Sequence, residues 1–223
     1  MRPATGHSSD NPRNNATQTG SVVFLSNPLM SDIESDWSPI HDAAYNGRVL
    51  TLRNLIAQGT CVNLATLDRV SPLHGACLQG HTDSCVTLLL QHGASPQGSS
   101  LSASPIHEAA AKGHPECIES LVHHGGDVDQ HTDQSGSPLY IACTNQHLST
   151  VRKLLQLGAS VNRSKDGDSP LHAAARLSNP ELVSVLLEHG ADCNCRDTQG
   201  KQPLDLAPPN SPVEKLLGHR GGS

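Results

Sequence analysis

Aromatic residues are nearly absent: one Trp, two Tyr and one Phe in 223 residues. Base-stacking platforms and cation-binding cages therefore lack material. Basic residues are also in deficit. Lys plus Arg number 15 against 21 Asp plus Glu, a formal charge of −6, which argues against a phosphate-neutralising nucleic-acid binder. No apolar run approaches the roughly 20 residues that span a bilayer, so no membrane partner is expected. Residues 1–20 are rich in Asn, Thr, Ser and Pro and lack the apolar stretch of a secretory signal. None of the seven cysteines forms a CxxC pair. An odd cysteine count without a signal fits a reducing, cytoplasmic setting. On that reading Asn15-Ala16-Thr17 and Asn162-Arg163-Ser164 match the glycosylation sequon by chance. No GxxxxGK[ST], GxGxxG or GxSxG occurs, and His107-Glu108 begins no HExxH because Ala111 stands where the second His belongs.

What is abundant is repetition. Ser38-Pro39-Ile40-His41 recurs as Ser71-Pro72-Leu73-His74, Ser104-Pro105-Ile106-His107, Ser137-Pro138-Leu139-Tyr140, Ser169-Pro170-Leu171-His172 and Gln202-Pro203-Leu204-Asp205. The prolines are spaced 33, 33, 33, 32 and 33 residues apart. A second marker, Gly59, Gly93, Gly125, Gly158 and Gly190, runs in phase with them. Serine is a good N-cap, and proline at the first helical position has no N–H to leave unsatisfied. Small residues such as Ala43-Ala44 and Ala109-Ala110 then let a short helix lie close to its neighbours. A second helix carries the larger apolar stripe, as in Val151, Leu154 and Leu155, and the marker glycine ends it in a left-handed C′ position. Helices this short are marginal alone, so they must stack side by side. Two units depart from the rule. The second is one residue longer between Gly80 and Gly93, and Pro208-Pro209 must stop the first helix of the sixth, which suits an end cap.

The fourteen histidines do not read as a metal site. Helices of adjacent units lie about 8–10 Å apart, whereas zinc ligands sit about 2 Å from the ion. Each recurrent imidazole is expected to hydrogen-bond locally and bridge to the next turn. Ser, His and Asp recur with the period, so no catalytic residue, metal ligand or cofactor is assigned and no enzyme is expected. Cys77 and Cys143 are expected to be packing thiols.

The pattern resembles the ankyrin repeat, whose 33-residue period and TPLH-x-A signature it follows over residues 35–217. The expected fold is an all-α ankyrin-repeat solenoid of six helix-turn-helix units joined by short β-turn fingers, most simply a monomer. Residues 1–20 read as a disordered tail, 21–34 as an apolar segment and 218–223 as a short tail. A solenoid offers a concave face built from its first helices and fingers. Repeat alignment places Trp37, Tyr45, Asn46, Arg69, Val70, Leu78, Gln79 and Lys112 there. Aromatic anchors dominate interfaces, so the first unit is the preferred contact region; Trp37 as a cap over the stack end is the alternative. The strip Phe24, Leu25, Pro28, Leu29 and Met30 reads either as a lid on the first unit or as a segment that orders on a partner.

A narrower resemblance rests on Phe24-Leu25-Ser26-Asn27-Pro28-Leu29-Met30, Ser35-Asp36-Trp37-Ser38-Pro39 and Leu52-Arg53-Asn54-Leu55-Ile56. These are similar to the ankyrin-repeat and SOCS-box family. The resemblance implies that the repeats select a target protein, creatine kinase in the most similar member, through the N-terminal strip and first units. It implies that a C-terminal SOCS box docks Elongin B/C and Cullin-5 for ubiquitination. Gly218-His219-Arg220-Gly221-Gly222-Ser223 carries no Leu-x-x-x-Cys helix, so ligase recruitment is not expected of this chain. The resemblance also implies one further unit in the relatives, between Gly93 and Ser104. A ligase-independent scaffold that holds or masks a partner is the alternative function.

Overall fold

Each Ser-Pro tetrapeptide opens a helix, and each is followed by a second helix running back along it. The computed structural model describes residues 37–98 and 104–220. The pairs are α1 (Pro39–Tyr45) with α2 (Val49–Ala57), α3 (Pro72–Gln79) with α4 (Thr87–Gln91), and α5 (Pro105–Lys112) with α6 (Pro115–His123). They continue with α7 (Pro138–Thr144) and α8 (Leu148–Gln156), α9 (Pro170–Arg176) and α10 (Pro180–Glu188), and α11 (Pro203–Leu206) and α12 (Pro212–Arg220). Among the described residues no strand forms. The bridges in the described parts of the fingers are Thr132↔Gly136 and Lys165↔Asp168. This is the expected ankyrin-repeat solenoid.

The first helices stack as one inner row, α1 on α3, α3 on α5, α5 on α7, α7 on α9 and α9 on α11. The second helices form an outer row in which α6, α8, α10 and α12 follow one another. The residue after each proline is the inner-row anchor: Ile40, Leu73, Ile106, Leu139 and Leu171 are at most 1% exposed. Its sixth counterpart, Leu204, is 37% exposed. Pro208-Pro209 limits α11 to four residues, and Ala207 is already extended. The outer helix of this last unit still forms, burying Val213 and Leu217, and it runs to Arg220, past the boundary at 217.

The repeat histidines cap and bridge at once. The backbone N–H of Ser71, Ser104 and Ser169 donates to Nδ1 of His74, His107 and His172 at 3.0, 3.3 and 3.2 Å. An amide can only donate, so Nδ1 is unprotonated and Nε2 carries the hydrogen. Nε2 of His41, His107 and His172 then donates to the carbonyls of Val70, Gly136 and Lys201 at 3.1, 3.0 and 3.0 Å, each 29 residues on. The carbonyl in register with His74 is that of residue 103, outside the described residues. The serines cap as expected: the Ser137 and Ser169 hydroxyls accept from the N3 amide, and Ser71 and Ser104 form capping boxes with their N3 histidines. The hydroxyls of Ser38, Ser71, Ser104 and Ser169 also bond to the histidine ring.

A second histidine row was not foreseen. Nε2 of His81 bonds to the carbonyl of Tyr45 at 2.9 Å, and that of His147 to Ala111 at 3.0 Å. Each ring of this row lies over a glycine of the preceding unit. A Cβ on Gly47, Gly80 or Gly113 would meet the ring of His81, His114 or His147 at 2.6–2.8 Å. The next junction uses another pair: Gln146 takes the left-handed position (φ 59), and Asn179 Nδ2 donates to its Oε1 at 3.3 Å.

Both irregular spacings have local solutions. The extra residue between Gly80 and Gly93 is absorbed by a π-helical turn at Thr82–Val86, with Val86 N–H donating to His81 five residues back at 3.0 Å. Thr87 Oγ1 donates to the Thr82 carbonyl that this turn displaces, at 2.9 Å. The 32-residue spacing between Pro138 and Pro170 comes from a tighter finger. Lys165 and Asp168 bracket Asp166 (φ 49) and Gly167 (φ 80), a two-residue turn with both centres left-handed. The preceding finger has three residues between Thr132 and Gly136.

Candidate binding face

The inner helices and the fingers make one face, and its polar and aromatic side chains fall into two groups. At the first unit, the indole of Trp37 lies 5.0 Å from the His41 ring and meets the Tyr45 ring edge-on at 6.0 Å and 80°. Edge contacts of this kind suit the aromatic quadrupole. Tyr45 fits because its neighbour in the next unit is Gly75, where a Cβ would come within 3.4 Å of it. Trp37 and Tyr45 are both half-buried. The sequence therefore delivers two of its four aromatics to one partly open cluster, as expected from their register. Asn46 beside them is exposed and is held by Asp42, which also pairs with Arg48 at 2.6 Å.

The other expected contacts divide. Arg69 is exposed at the first fingertip in a left-handed conformation (φ 60), and Gln79 and Lys112 are exposed on α3 and α5. Leu78 on α3 is only 9% exposed, so it has little open surface to offer. Val70 is half-buried, and its carbonyl receives His41, so its role is partly structural. Phe24, Leu25, Pro28, Leu29 and Met30 lie outside the described residues. The sequence reading missed Leu67, which is 87% exposed beside Arg69 on the first finger. Position in the fingertip is the signal that could have found it.

The second group is built on the unit whose tetrapeptide ends in tyrosine in place of histidine. Tyr140 O–H donates to Asp168 Oδ2 at 2.8 Å, and Arg176 Nη2 donates to Asp168 Oδ1 at 2.8 Å. The tyrosine still reaches the next finger, but to a side chain in place of a carbonyl. Burial first, then the Asp168 carboxylate, pushes the Tyr140 phenol up to about 12, and Asp168 raises the Arg176 guanidinium further still. Together with Lys165, Lys201 and Leu206 these residues line an open cleft of about 570 Å³. The tight finger that presents Asp168 joins Tyr140 of α7 to Arg176 of α9.

Elsewhere the titratable groups report packing. Burial lowers His107, which is 1% exposed, and raises its neighbour Glu108. Burial also raises the thiols of Cys77, Cys85 and Cys143, the last to about 12, which makes them poor nucleophiles. Asn162 of the second sequon donates to Gly190 and accepts from the amide of Asp192, an amide committed to holding the next unit. Among the described residues no three His, Cys, Asp or Glu side chains group as a metal site, and no helix is long and apolar enough to cross a membrane.

This stack of helix pairs with an open polar and aromatic face defines an ankyrin-repeat protein-interaction domain. The ankyrin-repeat family model (three copies) matches residues 15–100, 84–165, 106–197 and 161–214. Ankyrin repeat and SOCS box protein 9 of Homo sapiens is 57% identical over 233 residues, spanning 90% of this chain and 79% of that protein. Its counterpart from Mus musculus is 49% identical over 228 residues, spanning 88% and 79%. The crystal structure of the human ASB11 ankyrin repeat domain superposes with a TM-score of 0.58 at 43% identity, covering 83% of this chain and 99% of that one. The chain belongs to the ankyrin-repeat and SOCS box family. Ninety per cent of 223 residues is about 200, so the human alignment of 233 positions leaves about 32 without a counterpart here. That is the length of one unit, in line with the further repeat expected in the relatives.

Proposed function

We propose that this chain is the target-recognition part of a ubiquitin-ligase adaptor, binding a protein target on its concave face with the first unit as principal anchor. The observation that carries the reading is the Trp37–His41–Tyr45 cluster, half-open on the inner row of a chain 57% identical to ankyrin repeat and SOCS box protein 9. Aromatic side chains held by packing lose little freedom on binding and supply large contact area. The proposed target is a protein such as creatine kinase, and the proposed ligase partners of the family are Elongin B/C and Cullin-5. The Phe24–Met30 strip is proposed to extend the contact. Seven unbridged cysteines suit the cytoplasm.

The test is affinity capture from cell extract with the full chain and with a Trp37→Ala, Tyr45→Ala double variant. The wild-type chain should retain a target that the double variant loses. Elongin and Cullin peptides accompanying that target support the ligase reading, whereas a target retained without them supports a ligase-independent scaffold. Equal capture by both chains overturns the placement of the anchor.

A further inference from the structure

Two units of the inner row place a carboxylate at the same repeat position, and only one of the two is completed by its own unit. Three residues after each repeat proline stand Asp42, Gly75, Glu108, Ile141 and Ala173. Both oxygens of Asp42 are engaged: Asn46 Nδ2 donates to Oδ1 at 2.7 Å and Arg48 to Oδ2 at 2.6 Å. In the third unit the positions of Asn46 and Arg48 are held by Lys112 and His114. The His114 ring lies over Gly80 of the preceding unit, and Lys112 is exposed. Among the described residues Glu108 makes no ion pair and accepts no hydrogen bond.

Glu108 is partly buried and undercompensated. Burial raises its carboxyl above the ordinary value of 4.5, and the attraction of Lys112, one turn on, offsets that only in part. A carboxylate in this state gains from a further cation. The third unit does not supply one. Lys112 is its only Lys or Arg over residues 104–136, against Glu108, Glu116, Glu119, Asp127, Asp129 and Asp133, and the one ion pair there takes Glu119 to Lys153. The neighbouring unit adds an aromatic surface. At the register position of Glu108, α3 carries Gly75, and Tyr45 covers it: its Cβ and ring Cδ2 lie 3.4 and 3.5 Å from where a Gly75 Cβ would stand. Because α3 packs on α5, α3 places no side chain between Tyr45 and Glu108 at that level.

We propose that Glu108 is a second contact for the target protein, taking the guanidinium of an arginine whose stem lies along the Tyr45 ring. The inference rests on the concave face being the target-binding surface, and it adds the chemistry of the partner: a basic side chain set beside the group that meets Trp37. A cation uses both parts of the site, the carboxylate oxygens as acceptors and the ring face through its quadrupole. An acidic side chain would meet a carboxylate already short of positive charge. Arginine matches better than lysine, because its planar fork can span both oxygens of Glu108 and its stem and plane can rest on an aromatic face.

The experiment titrates the isotope-labelled full chain with N-acetyl-arginine amide, followed by backbone amide shifts in NMR. Saturable movement of the Gly75 and Glu108 amides is expected, and the neutral N-acetyl-glutamine amide should not produce it. Glu108→Gln should weaken the probe about tenfold, the loss of a charge-assisted pair. Tyr45→Ala should weaken it about threefold and Tyr45→Phe should not, because the ring face is kept. Lys112→Gln should tighten it about twofold by removing the cation that competes for Glu108. Glu116→Gln, at an exposed acid on α6, should leave it unchanged. Glu108→Gln keeps the shape of the side chain and removes a charge that burial disfavours, so an unchanged urea midpoint or a higher one should accompany the loss. Failure to saturate, equal weakening by Glu116→Gln, or weaker binding to Lys112→Gln would each overturn the proposal. The titration contains no target protein, so its failure leaves the anchor at Trp37 standing.

Discussion

The three junctions formed by Gly47 with His81, Gly80 with His114 and Gly113 with His147 are built alike, and the fourth is not. In the first three a ring is pressed onto a residue with no Cβ, and the inner histidine beneath is sealed between two units. In the fourth, Gln146 and Asn179 meet through a hydrogen bond, and Tyr140 replaces the sealed imidazole. At the sealed junctions the inner imidazole is spent on backbone groups. The altered one directs a phenol, a carboxylate and a guanidinium outward into a cleft. The contrast teaches that this face becomes chemically specific where the repeat rule is relaxed.

The contrast can be broken most severely at a sealed histidine. His107→Ala leaves the Ser104 cap and the Gly136 carbonyl without their shared partner in a buried site, and should cost about 3 kcal/mol in urea unfolding. Tyr140→Phe, at the half-buried counterpart, should cost about 1 kcal/mol. Equal costs would mean that the two units are held in the same way. Next in size is the glycine pair. Gly80→Ala drives a Cβ to 2.6 Å from the His114 ring at φ 75 and should cost about 2–3 kcal/mol. Gly93→Ala, at φ 84 but with nothing within 4 Å, should cost only the left-handed backbone strain of about 1 kcal/mol.

Acid should separate the same two units. Burial holds the folded His107 below its ordinary value of 6.5, so the unfolded chain binds a proton that the folded chain refuses. Stability contributed by this residue is complete above about pH 6.5 and is lost as pH falls from there toward the folded value. Tyr140, raised to about 12, contributes no slope in that window. Urea midpoints measured at about pH 7.5 and about pH 5.5 should therefore fall less for His107→Asn than for the wild type. Both proteins keep Glu108, whose raised value gives a slope of opposite sign, so the difference isolates the imidazole. The smallest effect is expected at Thr150, fully buried in α8 with no hydrogen-bond partner for its hydroxyl among the described residues. Thr150→Val should leave stability within about 0.5 kcal/mol or raise it, since no bond is lost.

The period, the capped inner helices and the Gly C′ ends were all legible because each is a local rule repeated in phase. The left-handed φ of 83–91° at Gly59, Gly93, Gly125, Gly158 and Gly190 bears this out. The extra residue before Gly93 could be counted, but that a π turn closed by Thr87 would absorb it could not be read from spacing alone. His81, His114 and His147 escaped notice because their partners lie one unit away and are glycines, which carry no chemical signal of their own. Alignment gives Leu78 its helix face, but its 9% exposure is set by packing that no spacing reveals. The Tyr140–Asp168–Arg176 network required knowing that Asp166-Gly167 folds into a two-residue turn, the one step that brings a finger carboxylate under an inner-helix phenol.

The account depends on the inner row and fingers being where a partner is held. Amide hydrogen exchange of the chain, alone and bound to a captured target, tests this directly. Protection is expected on α1, α3 and α5 and on the finger at 60–70, with α2, α6, α8 and α10 unchanged. Protection confined to the outer helices, with the Trp37 and Glu108 regions exchanging as before, would contradict it.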